Sequence, residues 1–264
     1  MSILSRALIG LALASALAAW AHRARLLTLS GAWAAALVGT VACAAGWEWC
    51  ATLLAFFFSS SLLTRWRMGA KERLTYSVVA KGGARDAWQV LANGGVFAVA
   101  ALGMIVLPSL GWTLVGLGAL AGAAADTWAT EIGTAIGGTP RALLGWHPVP
   151  VGTSGAITLV GTAAMCAGAL FLGTVAALSG FPHGSVVPVV LGGIGGALVD
   201  TWLGATMQER RWCARCALQT ERLVHHCGAD TERRGGVAHL DNDVVNLTSC
   251  IAGAAIALAV GRLL

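Results

Sequence analysis

The stretch AAADTWATEIG, residues 123–133, sets Asp126 and Glu131 inside a run of alanine, glycine and leucine, and GALVDTWLGATMQ sets Asp200 inside a second such run. An ionised carboxylate at membrane depth costs about 2.5–3.5 kcal/mol on insertion scales, so several of them imply a wet cavity, a bound cation or a proton pathway. LDNDVVNL, residues 240–247, adds Asn242, Asp243 and Asn246 at the entry of the last apolar segment. Asp243 and Asn246 stand at i and i+3, Asn242 and Asn246 at i and i+4, so one helix face can present three oxygen ligands. Carboxylate and amide oxygens suit Mg2+. The candidate metal set, and with it the candidate catalytic set, is therefore Asp126, Glu131, Asp200 and Asp243. Helix capping by Asn242 or Asp243 is the plainer account, and it leaves Asn246 unexplained.

Groups that could meet an anion fall close by in sequence. AKGGARDAWQVLANGG offers Lys81 and Arg85 among glycines whose N–H groups can form an anion nest, then Asn93 just inside the next apolar run. Lys71 lies earlier in the same basic loop, where a solvated loop is the competing account. GTSGAITLVGT, residues 152–162, places Ser154 where a hydroxyl could meet a phosphate or cap a helix. In the loop WCARCALQTERLVHHCGADTERRGG, Cys213, Cys216 and Cys227 with one of the adjacent histidines, assigned to His226, would suit a structural Zn2+. Reduced, unligated thiols are the alternative.

The elements that position these groups follow from composition. With 57% hydrophobic and 11% charged residues and a mean hydropathy of +0.75, the chain is a polytopic membrane protein. Apolar stretches near residues 3–21, 27–46, 48–64, 88–107, 110–137, 155–179, 185–207 and 244–263 predict an all-α bundle of about eight spans, with seven as the alternative. They form a single integral membrane domain, residues 1–264, with loops at 65–87 and 208–243. With eight spans the basic clusters, Arg23 with Arg25, Arg65 to Arg85, Arg141, and Arg210 to Arg234, all fall on one side. The positive-inside rule makes that side, and the candidate site, cytoplasmic and puts both termini outside. The sequence pI of about 9.0 is then explained by topology, and no nucleic-acid partner is expected.

Asp-Thr-Trp occurs at residues 126–128 and again at 200–202, each time after a glycine and alanine run, which predicts an internal parallel repeat of a two-span unit. A chance match, with interfacial tryptophans, is the competing account. On an ideal helix Asp126 and Glu131 point roughly 140° apart. Either they face different neighbours, or the helix breaks near Gly133, Gly137 and Gly138.

AKGGARDAWQVLANGG, AADTWATEIG, GTSGAITLVGT and HHCGADTERRGGVAHLDNDVVNL together resemble the integral membrane proteins of the domain-of-unknown-function 92 type, over most of the chain from about Lys71 to Asn246. The resemblance implies a nucleotide-dependent kinase that converts an isoprenyl monophosphate to the diphosphate. Its pattern falls on Lys81, Arg85, Asn93, Asp126, Glu131, Ser154, Asn242, Asp243 and Asn246. The lipid phosphate would itself be the nucleophile, leaving the protein to position groups and neutralise charge. In that scheme Mg2+ sits on the four acids, Lys81 and Arg85 meet phosphates of the nucleoside triphosphate and lipid, and Asn93, Asn242 and Asn246 orient them. A membrane cytidylyltransferase uses the same ingredients, and a lipid or ion transporter would also carry intramembrane acids and broken spans.

Overall fold

The computed structural model describes every residue except Lys81 and Gly82, so the expectation for Lys81 lies outside the described residues. Among those described, helices α1 (Ile3–Arg23), α2 (Leu29–Ala45), α3 (Trp47–Arg65), α5 (Ala87–Val106), α6 (Leu110–Ile136), α7 (Leu159–Ser179), α8 (Val186–Thr206) and α9 (Asn242–Leu263) occupy the predicted apolar stretches. A short helix, α4 (Met68–Thr75), lies in the first predicted loop. By length and composition, 5 of the helices can cross a membrane; α2 is apolar but shorter.

The ends of the helices are set by local chemistry. Thr28, Ser109 and Thr158 cap α2, α6 and α7 by accepting a backbone N–H three residues on, which satisfies one of the orphan donors of a first turn. Asp86 and Gln89 form a reciprocal capping box at α5. The helix α6 runs unbroken past Glu131 to a cap at Gly137, so the two acids face different neighbours. The sixth predicted span begins later than expected, at Leu159. Gly155 at φ +71° and the two-stranded pairing of β1 (Arg141–Ala142) with β2 (Ala156–Ile157) keep the preceding residues out of the helix. A second antiparallel sheet, in the order β4-β3-β5, occupies the other loop: β3 (Arg210–Cys213), β4 (Leu218–Thr220) and β5 (Glu232–Gly235). The bundle is thus mostly helical, with these small sheets added at one end.

The helix α6 is the centre. Its residues from Thr113 to Ala125 are almost all buried, and Trp49, Phe97, Leu117, Leu120 and Leu172 pack together around it. Lipid tails are as apolar as leucine, so close approach of small residues has to hold such a bundle together. A Cβ on Gly253 of α9 would stand 2.7 Å from Gly118 O of α6 and 3.1 Å from Gly192 O of α8. One turn further on, a Cβ on Gly196 would stand 3.3 Å from Gly122 Cα, and Ser249 Oγ donates to Gly196 O at 2.9 Å. Three backbones therefore meet where only glycine fits. Gly253→Ala is expected to cost about 1–3 kcal/mol through overpacking. Gly69→Ala, at a helical site with nothing within 4 Å, should be neutral or slightly stabilising. Thermal unfolding of the two variants in one detergent checks the contrast, and equal behaviour would refute the crossing.

The loops at one end are stitched together. Thr28 N donates to Arg85 O at 3.0 Å and Arg85 N to Leu26 O at 2.9 Å, while Arg65 donates to Ala24 O. Glu221 N donates to Val78 O at 2.9 Å, and a Cβ on Gly155 would fall 2.2 Å from Ala205 N. The segments at residues 24–28, 65–80, 83–86, 150–158 and 205–243 therefore form one face.

Candidate functional site

The glycine crossing sets the acids. In α6 the order is Gly118, Gly122, Asp126, and in α8 it is Gly192, Gly196, Asp200. Where Gly122 meets Gly196, the next turn of each helix carries its aspartate toward the stitched face. The antiparallel α9 enters from that same face and carries Asp243 in its first turn. All three border a cavity of about 950 Å3 whose far wall is the 152–158 loop, with Glu221 and Arg222 from the loop after β4. Asp200 Oδ2 is buried with no hydrogen-bond partner among the described residues. A buried carboxylate oxygen left without a donor is costly, and a hard cation on Asp126, Asp200 and Asp243 would offset that cost, so this donor set fits Mg2+.

The helix α9 is capped by Asp241, whose Oδ1 accepts from Asp243 N at 3.0 Å and Val244 N at 3.1 Å. Neither Asn242 nor Asp243 caps it, and Asp243 borders the cavity. Asn242 borders the cavity too; Asn246 does not. Trp128 packs on Phe171 of α7 at 5.1 Å, with its Nε1 buried.

Glu131 departs from its expected role. It forms an ion pair with Lys71 and accepts from Thr64 Oγ1 at 2.6 Å. Lys71 also donates to Leu63 O at 2.7 Å and Thr64 O at 2.9 Å, carbonyls of the last turn of α3 that lack helical partners. All three ammonium donors are thereby used. Lys71 and Glu131 are committed to each other and to holding α4 on α3. Both residues also border the cavity, where a metal role is expected for Glu131 and a phosphate role for Lys71.

Three other expectations are redirected. Arg85 donates to Thr64 Oγ1 at 3.3 Å, next to the Glu131 pair, and borders a second cavity of about 800 Å3 walled by α1, α2, α3 and α5. Asn93 lines that same apolar cavity and donates to Gln89 O at 2.9 Å within its own helix. Ser154 neither caps α7 nor stands at its N-terminus; it donates to Glu221, which also accepts from Gln208 Nε2 at 2.9 Å. Burial pushes the Glu221 carboxyl above the usual range, partly opposed by the Ser154 donation. Glu221, Gln208 and Arg222 carried no signal in the sequence, because they come to the cavity from a loop with neither period nor spacing. Arg222 Nε is buried without a hydrogen-bond partner among the described residues, so it is a basic group with unused donor capacity.

In the cysteine loop the fourth member of the cluster is His225, not His226. His225 is buried with Nδ1 at 3.4 Å from Cys227 Sγ, whereas the His226 ring lies exposed against Tyr76 at 5.0 Å. The His225 contact draws the Cys227 thiol down to about 6.

Apolar helices long enough to span a bilayer, packed through glycines around intramembrane acids, define an integral membrane protein. Residues 12–254 match the family described as integral membrane protein DUF92, and the chain belongs to that family, in agreement with the resemblance drawn from its motifs. It is 31% identical to Protein PGR of Arabidopsis thaliana, over 93% of each chain. It is 30% identical to an uncharacterized membrane protein of a Synechocystis species over 93% of this chain and 86% of that one. An uncharacterized membrane protein of Methanocaldococcus jannaschii is 28% identical over 80% and 87%. No solved structure matches.

Proposed function

We propose that the chain transfers the terminal phosphoryl group of a nucleoside triphosphate to an isoprenyl monophosphate, yielding the diphosphate, at the cytoplasmic membrane boundary. The observation that carries this reading is the juxtaposition of two unlike cavities. One is polar and ringed by Asp126, Asp200 and Asp243; the other is apolar and opens among α1, α2, α3 and α5. Gln89 borders both, and the Arg85–Thr64–Glu131–Lys71 chain stands between them. A lipid tail suits the second cavity, with its phosphate brought to Arg85 and toward the first.

Mg2+ held by Asp126, Asp200 and Asp243 would neutralise phosphate charge as the transfer proceeds. A lipid phosphate oxygen forms the new P–O bond to the terminal phosphorus. The bond from that phosphorus to the bridging oxygen breaks, and the nucleoside diphosphate leaves with its electron pair. Arg222 on the polar side and Arg85 on the apolar side hold the two reactants, while the Asp241-capped start of α9 fixes Asp243.

The test is purified protein in nanodiscs with Mg2+, a nucleotide panel and isoprenyl monophosphates, with products resolved by mass and nucleotides labelled at the alpha or gamma phosphate. Gamma label in an isoprenyl diphosphate is the expected result. Alpha label with release of pyrophosphate would make the protein a cytidylyltransferase. Flux of substrate across sealed vesicles without nucleotide would make it a transporter.

A further inference from the structure

We propose that Cys213, Cys216, His225 and Cys227 bind one Zn2+ that clamps the loop bearing Glu221 and Arg222 onto the polar cavity. The four residues come from two tight turns. Cys213 ends β3 and Cys216 sits in the turn to β4, which closes with Ala217 at φ +52°. His225 and Cys227 sit in a second turn, in which Gly228 N donates to His225 O at 2.9 Å and Gly228 takes φ +80°. Their ligand atoms all lie within 4.8 Å of one another.

The spacing discriminates between the possible states of these thiols. With Zn–S about 2.3 Å and Zn–N about 2.0–2.1 Å, tetrahedral angles put two sulfurs about 3.8 Å apart and a sulfur and a nitrogen about 3.5 Å apart. Cys213 Sγ and Cys227 Sγ are 3.6 Å apart, and His225 Nδ1 and Cys227 Sγ are 3.4 Å apart. A disulfide needs about 2.0 Å, and the cysteines are free. Three thiolates and an imidazole, two of the four residues buried, are the donor set of a closed structural zinc site. Such a site has no open position for chemistry.

The surroundings say what the ion would hold. Beyond Cys216 the chain continues into β4, where Thr220 Oγ1 donates to Val78 O at 3.2 Å. The next two residues, Glu221 and Arg222, reach the polar cavity. Thr231 Oγ1 closes the far side by donating to Leu223 O at 2.9 Å, and Arg211 Nε donates to Thr231 Oγ1 at 2.8 Å. Besides these hydrogen bonds and its small sheet the loop has few buried apolar side chains, and small segments of this kind draw order from a bound metal.

The claim is independent of the kinase reading, since zinc content is measured without any turnover. Protein purified under reducing conditions from zinc-replete cells is analysed by mass spectrometry for bound metal. Wild type and His226→Ala are expected to carry one zinc per chain. Cys216→Ser and His225→Ala should carry at least ~10-fold less. Removing zinc with a chelator and adding Co2+ should give the intense ligand-field bands of tetrahedral cobalt, and zinc removal should expose residues 213–231 to limited proteolysis. Absence of zinc in wild type, its retention in both ligand variants, octahedral cobalt bands, or a Cys213–Cys227 disulfide would each overturn the assignment. Wild-type zinc content decides the matter even if a ligand variant fails to fold.

Discussion

Asp200→Asn is expected to lower phosphoryl transfer by about 10²–10³-fold, the scale on which one electrostatic contact to a transition state is lost, and at the same time to raise the thermal stability of the metal-free protein. The two effects have one cause. Asp200 Oδ2 is buried without a hydrogen-bond partner among the described residues, and leaving such a group unsatisfied costs about 1–3 kcal/mol, more if charged. The amide has the same shape without the charge, so the variant sheds the cost of burying a charge, though its polar edge still lacks a partner, and it also sheds the ligand. Adding Mg2+ should stabilise wild type by mass action and leave the variant unmoved. Thermal unfolding with chelator and with Mg2+, alongside the transfer assay, reads both sides. A variant that still responds to Mg2+ and still turns over would remove the cation from the aspartates.

Lys71→Met is expected to destabilise the fold by about 3–5 kcal/mol, the usual effect of stripping one partner from a buried ion pair. Two carbonyls at the end of α3 lose their donor, and Glu131 is left with Thr64 as its partner among the described residues. The double variant Lys71→Met, Glu131→Gln should recover most of the loss, because no unpaired charge remains. A double-mutant cycle by chemical denaturation supplies the coupling energy. Were Glu131 a metal ligand instead, Glu131→Gln alone would abolish the Mg2+ response with little effect on stability, and the second substitution would rescue nothing.

Apolar runs of membrane length were readable from composition, and all eight predicted stretches are helical. The two Asp-Thr-Trp aspartates were readable too, each after a glycine and alanine run, and with Asp243 of the first turn of α9 they border one cavity. The angle argument for Glu131 was sound, and the unbroken α6 selects one of its two outcomes. What Glu131 faces was not readable, because Lys71 and Thr64 lie 60 and 67 residues away and nothing local marks the pairing. His226 was preferred to His225 on sequence alone, where adjacent histidines are equivalent. The turn at Gly228 points one ring inward and leaves the other outside. Ser154 lies on the cavity wall but does not begin α7: a hydroxyl ahead of a helix looks like a cap, and Thr158 is the residue that takes that place.

The glycine crossing has a consequence for synthesis. Of the three helices that meet at Gly118, Gly192 and Gly253, α9 leaves the ribosome last. Until it inserts, α6 and α8 sit in the translocon's surroundings carrying Asp126 and Asp200 without the Asp243 turn and without a third wall. A chain truncated before Asn242 should therefore be held by insertion chaperones and degraded, and the final helix acts as the keystone that turns two burdensome acids into one assembled site.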